Sequence, residues 1–315
     1  RAQALGAKHG VPHFTDMHEM MEARAADIHV VCVLTESGRH AAHTIALSRH
    51  GKHVVVEKPM ALTLPDADAM IAACDEAGIR LFVVKQNRYN LPVVKMREAL
   101  EAGRFGDLVM GTVRVRWSRD QAYYDQDAWR GSWALDGGVF TNQASHHIDL
   151  LEWCMGPPAT VFTRTRTALV DIESEDTGVA VITFKSGALG VVEATTATRP
   201  KDLEGSLSLL GSGGNVEIGG FAVNQMRQWN FTEGLPGDAE VLEKYSENPP
   251  NVYGFGHVAY LRHVVEVLGN SAPSLVDGSE GRKSLELIHA IYQSAETGTE
   301  ITIGPDSHSE KLGRK

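Results

Sequence analysis

The stretch His53-Val54-Val55-Val56-Glu57-Lys58-Pro59 places an apolar run directly before an acid, a lysine and a proline. Val54 to Val56 predict a buried strand, because consecutive β-branched residues suit a parallel sheet that is covered on both faces. Pro59 cannot donate a backbone hydrogen bond and ends the strand. Lys58 is therefore predicted at the carboxyl end of a parallel strand, where open α/β sheets bind ligands. A lysine there can act as a general acid or base, or it can be an ordinary solvated residue.

The composition suits two globular domains. Of the 315 residues, 43% are hydrophobic and 22% are charged, and the formal net charge is −10. This charge argues against nonspecific binding to nucleic acid, and no apolar run reaches the roughly 18 residues of a membrane span. The cysteines match neither a zinc motif nor a disulfide framework, and we expect Cys32 and Cys74 in the core. We expect a cytoplasmic protein that contacts neither nucleic acid nor membrane.

Strands and helices alternate in the first part of the chain, after a predicted helix at 1–10. Such βαβ units form a parallel sheet with right-handed crossovers. The predicted strands are 29–34, 54–56 and 81–84, and the predicted helices are 39–50 and 65–78. From residue 88 onward, short turns indicate a large, mainly antiparallel sheet. Its predicted strands are 109–117, 179–184, 188–195 and 206–210. Two helices follow, one with an apolar face of Val258, Leu261, Val265 and Leu268 and one with Leu285, Ile288, Tyr292 and Ala295. We expect the polar tail 305–315 to be loosely held.

Polar side chains recur after two glycines, Gly137 and Gly138, which let the backbone approach a neighbour closely. Asn142, His146 and Asp149 then follow at i, i+4 and i+7, on one face of a predicted helix. This face could line a site or be exposed to solvent. A metal site is an alternative, but adjacent histidines at 146 and 147 project about 100° apart on a helix, so we predict none.

Further stretches carry side chains that are typical of binding sites. Residues 86–90, Gln-Asn-Arg-Tyr-Asn, follow a strand end directly and predict a site or a polar linker between domains. Trp129-Arg130 suits a nucleotide, or places a tryptophan at an interface. Arg199 and Lys201 predict an anion site or a solvated charge run.

A loop at 251–257 is interpreted as a ligand-binding loop that presents Asn251, Tyr253 and His257. Residues 254–259 match a G-x-G-x-x-A pattern, but the preceding Pro-Pro segment is no strand, so we reject a dinucleotide role. No G-x-S-x-G elbow and no P-loop is present, which excludes the usual serine hydrolase and NTPase motifs.

In their order along the chain, these motifs resemble the Gfo/Idh/MocA oxidoreductases over essentially the whole sequence. The resemblance rests on Glu57-Lys58-Pro59, Trp129-Arg130, and Gly137-Gly138 with His146 and Asp149. It implies a nicotinamide-dependent dehydrogenase of sugars or cyclitols. It also implies an α/β fold, with a Rossmann-type parallel sheet at 1–88 and a substrate-binding and oligomerisation domain at 89–315. The second domain carries a large open sheet, and a homo-oligomer, a tetramer by resemblance, is expected.

A closer resemblance is to the UDP-N-acetyl-glucosaminuronate 3-dehydrogenases of bacterial surface-polysaccharide synthesis. It rests on residues 86–90, 141–147, 199–204 and 251–257. Asn142 stands where many family members carry Asp, which fits this subfamily and weakens a role for position 142 as an acid. The implied reaction is NAD-dependent oxidation of the sugar C3 hydroxyl. The alternatives are a dehydrogenase of another sugar or inositol, and an inactive fragment or non-enzymatic oligomerising subunit.

The resemblance also implies individual roles. Lys58 is the expected base or relay, His146 shares the proton transfer, and Asn142 orients the sugar. The cofactor, NAD or NADP, is expected against Thr35, Glu57, Lys58, Pro59, Gln86, Trp129 and Arg130. The UDP-sugar is expected against Arg88, Tyr89, Asn142, His146, Arg199, Lys201, Asn251, Tyr253 and His257.

The front of the sequence departs from the family pattern. The family opens with a strand, a G-x-G-x-x-G turn, a helix and a second strand that ends in an acid, and this sequence begins at the next helix. By the spacing of the fingerprint, we expect roughly 30–40 residues to be missing, and an N-terminally truncated Rossmann sheet. The missing turn binds the pyrophosphate and the missing acid reads the ribose. We therefore expect these 315 residues to bind NAD weakly, and the choice of NAD or NADP stays open.

Overall fold

The structure is a computed structural model that describes residues 2–270 and 273–314. Arg1 and Lys315, the outer ends of the predicted first helix and tail, lie outside these residues.

The first part of the chain alternates between helix and strand. Its elements are α1 (Ala2–His9), α2 (Met17–Arg24), β1 (Val30–Val33), α3 (His40–Ser48), β2 (His53–Val56), α4 (Leu64–Glu76) and β3 (Leu81–Val83). The three strands pair in parallel in the order β1-β2-β3, which confirms the predicted parallel sheet. Single 3-10 turns at Ser37–Arg39 and Gln86–Tyr89 follow β1 and β3, so the helix predicted at 39–50 begins as a 3-10 turn.

The second part contains the large sheet. Its elements are α5 (Leu91–Glu101), β4 (Leu108–Arg116), α6 (Gln121–Tyr124), α7 (Ser145–Met155), β5 (Pro158–Arg166), β6 (Thr177–Phe184), β7 (Leu189–Thr195), β8 (Glu204–Gly211), β9 (Gly214–Gly219), β10 (Gln225–Phe231), a 3-10 turn at Asp238–Glu240, α8 (Val241–Lys244), α9 (Gly256–Asn270), α10 (Gly278–Thr297) and β11 (Ile301–Thr302). Eight strands run in the order β10-β9-β8-β4-β7-β6-β5-β11, in which β4 and β7 pair in parallel and the other neighbours antiparallel. The predicted fold class is confirmed.

Helix α10 packs against both sheets. Leu285 joins the apolar cluster of Val54, Val56 and Met70 around the parallel sheet. Ile288, one turn later on the same helix, belongs to the cluster that lies between α7 and the large sheet. The helix therefore fixes the carboxyl ends of β2 and β3 close to the beginning of α7. The domain boundary that we place between residues 88 and 89 stays a prediction.

Three expectations about burial are wrong. Cys32 is exposed, because it points to the opposite face of β1 from buried Val31 and Val33. The tail is held in place, because the Ser309 hydroxyl donates to Glu296 and Leu312 is 2% exposed. The predicted apolar face of α9 is wrong for Val258, Leu261 and Val265, which are exposed, whereas Leu268 packs against the buried Tyr260, Val264 and Val267.

Across residues 2–270 and 273–314, no helix combines the length and the apolar character that a membrane crossing requires.

Candidate active site

A cavity of about 710 Å³ opens beyond the carboxyl ends of β1 and β2. One wall comes from the residues that follow these strands, and the other comes from the segments around β4, α6 and α7. The cavity brings together many of the predicted site residues, namely Thr35, Glu57, Lys58, Gln86, Trp129, Arg130, Asn142, His146, Tyr253 and His257. Glu57 and Lys58 therefore lie where parallel sheets bind their ligands.

Lys58 points across the cavity to the segment before α7. Its Nζ donates to the backbone oxygen of Asn142 at 2.7 Å and lies 3.4 Å from Asn142 Oδ1. Burial lowers the pKa of Lys58, while the carboxylates of Glu57 and Asp136 act in the opposite direction. The amine is thereby brought closer to the pH range in which it can accept a proton.

His146 lies in the first turn of α7 and faces Gln86. The two Nε2 atoms are 2.9 Å apart, and because the amide nitrogen can only donate, the imidazole nitrogen accepts. Burial lowers the pKa of His146 well below its usual value, and nearby Lys58 lowers it further. The ring is therefore neutral at physiological pH and available as a hydrogen-bonding group.

Asp136 lies behind Asn142, and the sequence analysis missed it. Asn142 Nδ2 donates to Asp136 Oδ1, and the backbone nitrogen of Gly131 donates to Oδ2 at 2.8 Å. Burial raises the pKa of Asp136 to about 6. Asp136 directly precedes Gly137, whose φ of 83° favours glycine. That pairing of an acid with a glycine turn is the signal that could have indicated it.

The predicted helix face of Asn142, His146 and Asp149 is wrong. Helix α7 begins at Ser145, so Asn142 belongs to the turn before it. Asp149 points away from the cavity and accepts hydrogen bonds from Lys85 and from both Nε and Nη2 of Arg88. Burial alone would raise the pKa of Asp149, but Arg88 and Lys85 lower it to about 2.

Contrary to the prediction, Arg88 is consequently not placed to bind the substrate. Its guanidinium binds Asp149, Glu280 and the backbone oxygen of Leu275, and the residue is 5% exposed. Its hydrogen-bonding capacity is taken up by protein partners. Tyr89 is not placed to bind the substrate either, because its ring packs edge-on against Tyr260 outside the cavity.

The predicted anion site at 199–204 is not formed by Arg199 itself. Its guanidinium donates to the backbone oxygens of Arg119, Thr196 and Thr198, so it braces a neighbouring segment instead. Lys201 is exposed and lies outside the cavity lining.

Two other predicted residues also lie outside the cavity lining. Asn251 accepts from the backbone nitrogen of Tyr253 at 3.1 Å and shapes its own loop. The carbonyl of Pro59 binds His40 Nδ1 at 2.8 Å, so Pro59 fixes the strand end without facing the cavity.

Two arginines, Arg119 and Arg130, supply the positive charge of the cavity wall. Both guanidiniums lie over the ring of Tyr123, at 5.4 and 4.4 Å from its centroid, and Arg130 also lies over Trp129. Arg119 pairs with Asp202 at 2.9 Å. Arg119 was missed, although it follows the alternating strand β4 by only three residues.

No group of three histidine, cysteine, aspartate or glutamate side chains within the described ranges is arranged to hold a metal ion. Of the residues considered for such a site, Asp149 is engaged with Lys85 and Arg88, and His147 packs edge-on against Trp117.

Comparison with protein families identifies the class. Residues 1–85 match the NAD-binding Rossmann-fold domain of the GFO/IDH/MocA oxidoreductase family, and residues 97–303 match its C-terminal α/β domain. The chain belongs to the Gfo/Idh/MocA oxidoreductase family, as its motifs predict, and NAD is the cofactor of its first domain.

Individual relatives narrow the comparison. The WlbA dehydrogenase of Bordetella pertussis, solved with NADH and UDP-GlcNAcA, is 43% identical with a TM-score of 0.92, over 97% of this chain and 87% of that one. The Chromobacterium violaceum WlbA structure, with the same two ligands, is 41% identical with a TM-score of 0.90, over 97% and 86%. The myo-inositol 2-dehydrogenase of Thermotoga maritima is 29% identical over 94% of this chain and 86% of that protein.

The cavity fits the nicotinamide-bearing part of NAD. Gln86 Oε1 is a buried polar atom that has no hydrogen-bond partner among the described residues. Arg130 Nε also lacks a hydrogen bond there, although it lies 3.4 Å from Asp127 Oδ2, and both side chains line the cavity. They offer an acceptor and a donor to a polar ligand. Thr35, Glu57 and Trp129 would hold the cofactor beside them. Within the described residues, no glycine-rich turn links a strand to a helix in the manner that binds a pyrophosphate.

Proposed function

We propose that this chain catalyses the NAD-dependent oxidation of the C3 hydroxyl of UDP-N-acetyl-glucosaminuronate. The observation that carries the proposal is the meeting of Lys58, Asn142 and neutral His146 at the carboxyl end of β2. The WlbA neighbours, which were solved with NADH and UDP-GlcNAcA, support this choice of substrate.

Lys58 removes the proton of the C3 hydroxyl as the C3–H bond breaks. NAD⁺, when bound, accepts the hydride from C3. The product is a 3-keto sugar, and the proton lost from oxygen resides on the lysine amine. Burial favours the neutral amine that this step requires, and Asn142 fixes the position of Nζ through two oxygens. His146, held by Gln86, orients the sugar hydroxyl and shares the proton.

The substrate carries a uronate and a pyrophosphate, and both need positive partners. Arg119 and Arg130 line the cavity and supply that charge, in place of the predicted Arg88, Arg199 and Lys201. A planar guanidinium can bind a carboxylate or phosphate with two parallel hydrogen bonds. Aromatic Trp129 and Tyr123 beside them offer surfaces for stacking.

A comparison of substrates tests the proposal. NADH formation is followed by absorbance with NAD⁺ and UDP-N-acetyl-glucosaminuronate, UDP-N-acetylglucosamine, free N-acetyl-glucosaminuronate or myo-inositol. We expect oxidation of the first compound and a weak response to the second, because it lacks the carboxylate. Preference for myo-inositol would favour the alternative that the Thermotoga maritima relative represents. Calorimetry with the UDP-sugar alone, without NAD⁺, identifies a chain that binds the sugar but does not oxidise it.

We also infer that the chain forms a homo-oligomer, with a tetramer as the expected state, through the outer face of the large sheet. Exposed Phe162 lies directly opposite exposed Val181 across β5 and β6, and Val179, Leu189 and Leu210 extend this apolar surface. A second copy offers the same pleated face and would cover it. Analytical ultracentrifugation tests the inference, and Val181→Asp should shift the chain toward monomer. A monomeric wild-type chain would contradict it.

A further inference from the structure

The side chain of Asn142 lies between Lys58 and a buried carboxylate, Asp136. Its Nδ2 donates to Asp136 Oδ1, while its Oδ1 faces Lys58 Nζ at 3.4 Å. Asp136 is 2% exposed, and its other oxygen accepts from the backbone nitrogen of Gly131 at 2.8 Å. Both oxygens of the carboxylate are therefore held in place behind the cavity wall.

The carboxylate fixes the orientation of the Asn142 amide. In the observed orientation, the NH₂ group faces a carboxylate that only accepts, and the amide oxygen faces an ammonium that only donates. Rotation of the amide by 180° would point oxygen at the carboxylate and N–H groups at Lys58, and both contacts would be repulsive. Without the charge on Asp136, the first of these penalties is removed.

We propose that Asp136 is a positioning residue of the proton-transfer site, which acts on Lys58 through Asn142. Asp136 holds the Asn142 amide with its oxygen toward the Lys58 amine. It also places a negative charge that is separated from Lys58 Nζ by the side chain of Asn142. The inference rests on the proposed role of Lys58 as the proton acceptor. Asp136 itself contacts neither Lys58 nor the cavity, so its role differs from that of a catalytic residue.

Other charged groups act on the same two residues and limit the size of the effect. Lys58 is faced by Glu57, Arg130, His40 and His146. Asp136 is faced by Lys58 and Arg130, by the rings of Tyr123 and Tyr124, and by Glu175. Burial raises the pKa of Asp136 to about 6, so it is ionised above neutral pH, where Lys58 must lose its proton.

Asp136→Asn should lower the pKa of Lys58, because it removes a negative charge that favours the ammonium form. The acid limb of the kcat profile should move to lower pH by about one pH unit. The maximal kcat should fall about tenfold, because the Asn142 amide can then rotate. A carboxylate that served folding alone would lower stability without moving the acid limb.

Exchanging the two side chains gives the sharper test. Asp136→Asn combined with Asn142→Asp retains one amide, one carboxylate and the hydrogen bond between them, but brings the charge next to Lys58. The pKa of Lys58 should then increase in the order Asp136→Asn, wild type, exchange variant. The exchange variant also tests the proposal if the single variant does not fold, because the pair remains complementary.

Asp176→Asn is the matched control. Asp176 is also buried and accepts from the backbone nitrogens of Ala168 and Leu169, but it does not act on Lys58. It should leave the Lys58 pKa unchanged.

The pKa is read directly by NMR on chains whose lysines carry ¹³C-methyl groups, with the Lys58 signal assigned by Lys58→Arg. This measurement needs neither substrate nor NAD. Equal Lys58 pKa values in all variants would overturn the inference. A shifted pKa without oxidation of the UDP-sugar would leave it standing and contradict the proposed function instead.

Discussion

Replacing Asp149 with asparagine should strongly destabilise the chain, because this carboxylate is the shared partner of two buried cations. Lys85, Arg88 and Asp149 are 4%, 5% and 3% exposed, respectively. The neutral amide leaves Lys85 without its ion-pair partner and Arg88 with Glu280 as its remaining one, in a site away from water. Removing one partner of a buried ion pair costs about 3–5 kcal/mol, and we expect a loss near the lower end because asparagine still accepts one hydrogen bond.

The pH dependence of stability gives an independent magnitude. The pKa of Asp149 falls from an ordinary value of 3.8 to about 2 in the folded chain. A lowered folded-state pKa contributes stability that is fully present above pH 4 and is lost as pH falls through about 2. The difference corresponds to about 2 kcal/mol. Asp149→Asn should lack this part of the acid dependence.

Urea titration at pH 7 and at pH 3 measures both effects. Asp68→Asn is the control, because the ion pair of Asp68 with Arg282 lies at the surface, with the Asp68 side chain 53% exposed. That variant should lose less than about 1 kcal/mol. A loss at pH 7 as small for Asp149→Asn as for Asp68→Asn would refute the buried-cluster reasoning.

Three further results are expected. Lys58→Ala and His146→Ala should each lower kcat by about 10²-fold or more, measured as NADH formation, and near-native turnover in either would contradict its role. Activity should fall as pH decreases, because Lys58 becomes protonated, and a rate that is flat down to pH 5 would exclude it as the base. Arg119→Met should weaken calorimetric binding of the UDP-sugar about tenfold, while Lys201→Met, at an exposed position outside the cavity, should leave it unchanged.

The strand before Lys58 could be predicted because its signals are local. Within seven residues, three valines favour a strand and a proline ends it, and neither effect depends on distant parts of the chain. The position of Lys58 at the carboxyl end of β2 follows from that pattern alone. The same holds for the mainly antiparallel sheet, whose short turns connect neighbouring strands.

The partners of the cations could not be predicted, because they are distant in sequence. Arg88 meets Asp149 after 61 residues and Glu280 after 192. A stretch of five polar residues is consistent with a substrate site and with a buried ion pair, and only tertiary packing decides between them. Arg199 illustrates the same limit, because backbone oxygens already occupy its guanidinium.

Helix α7 links the ion-pair cluster to the candidate site. His146 in its first turn faces the cavity, and Asp149, three residues later, anchors the helix to Lys85 and Arg88. Residues three apart lie on the same face of a helix. A shift of the helix at Asp149 therefore also moves His146 relative to Lys58. Asp149→Asn should therefore lower kcat even under conditions in which the variant is fully folded. The buried cations then serve the reaction without touching the substrate, because they fix the helix that carries the imidazole.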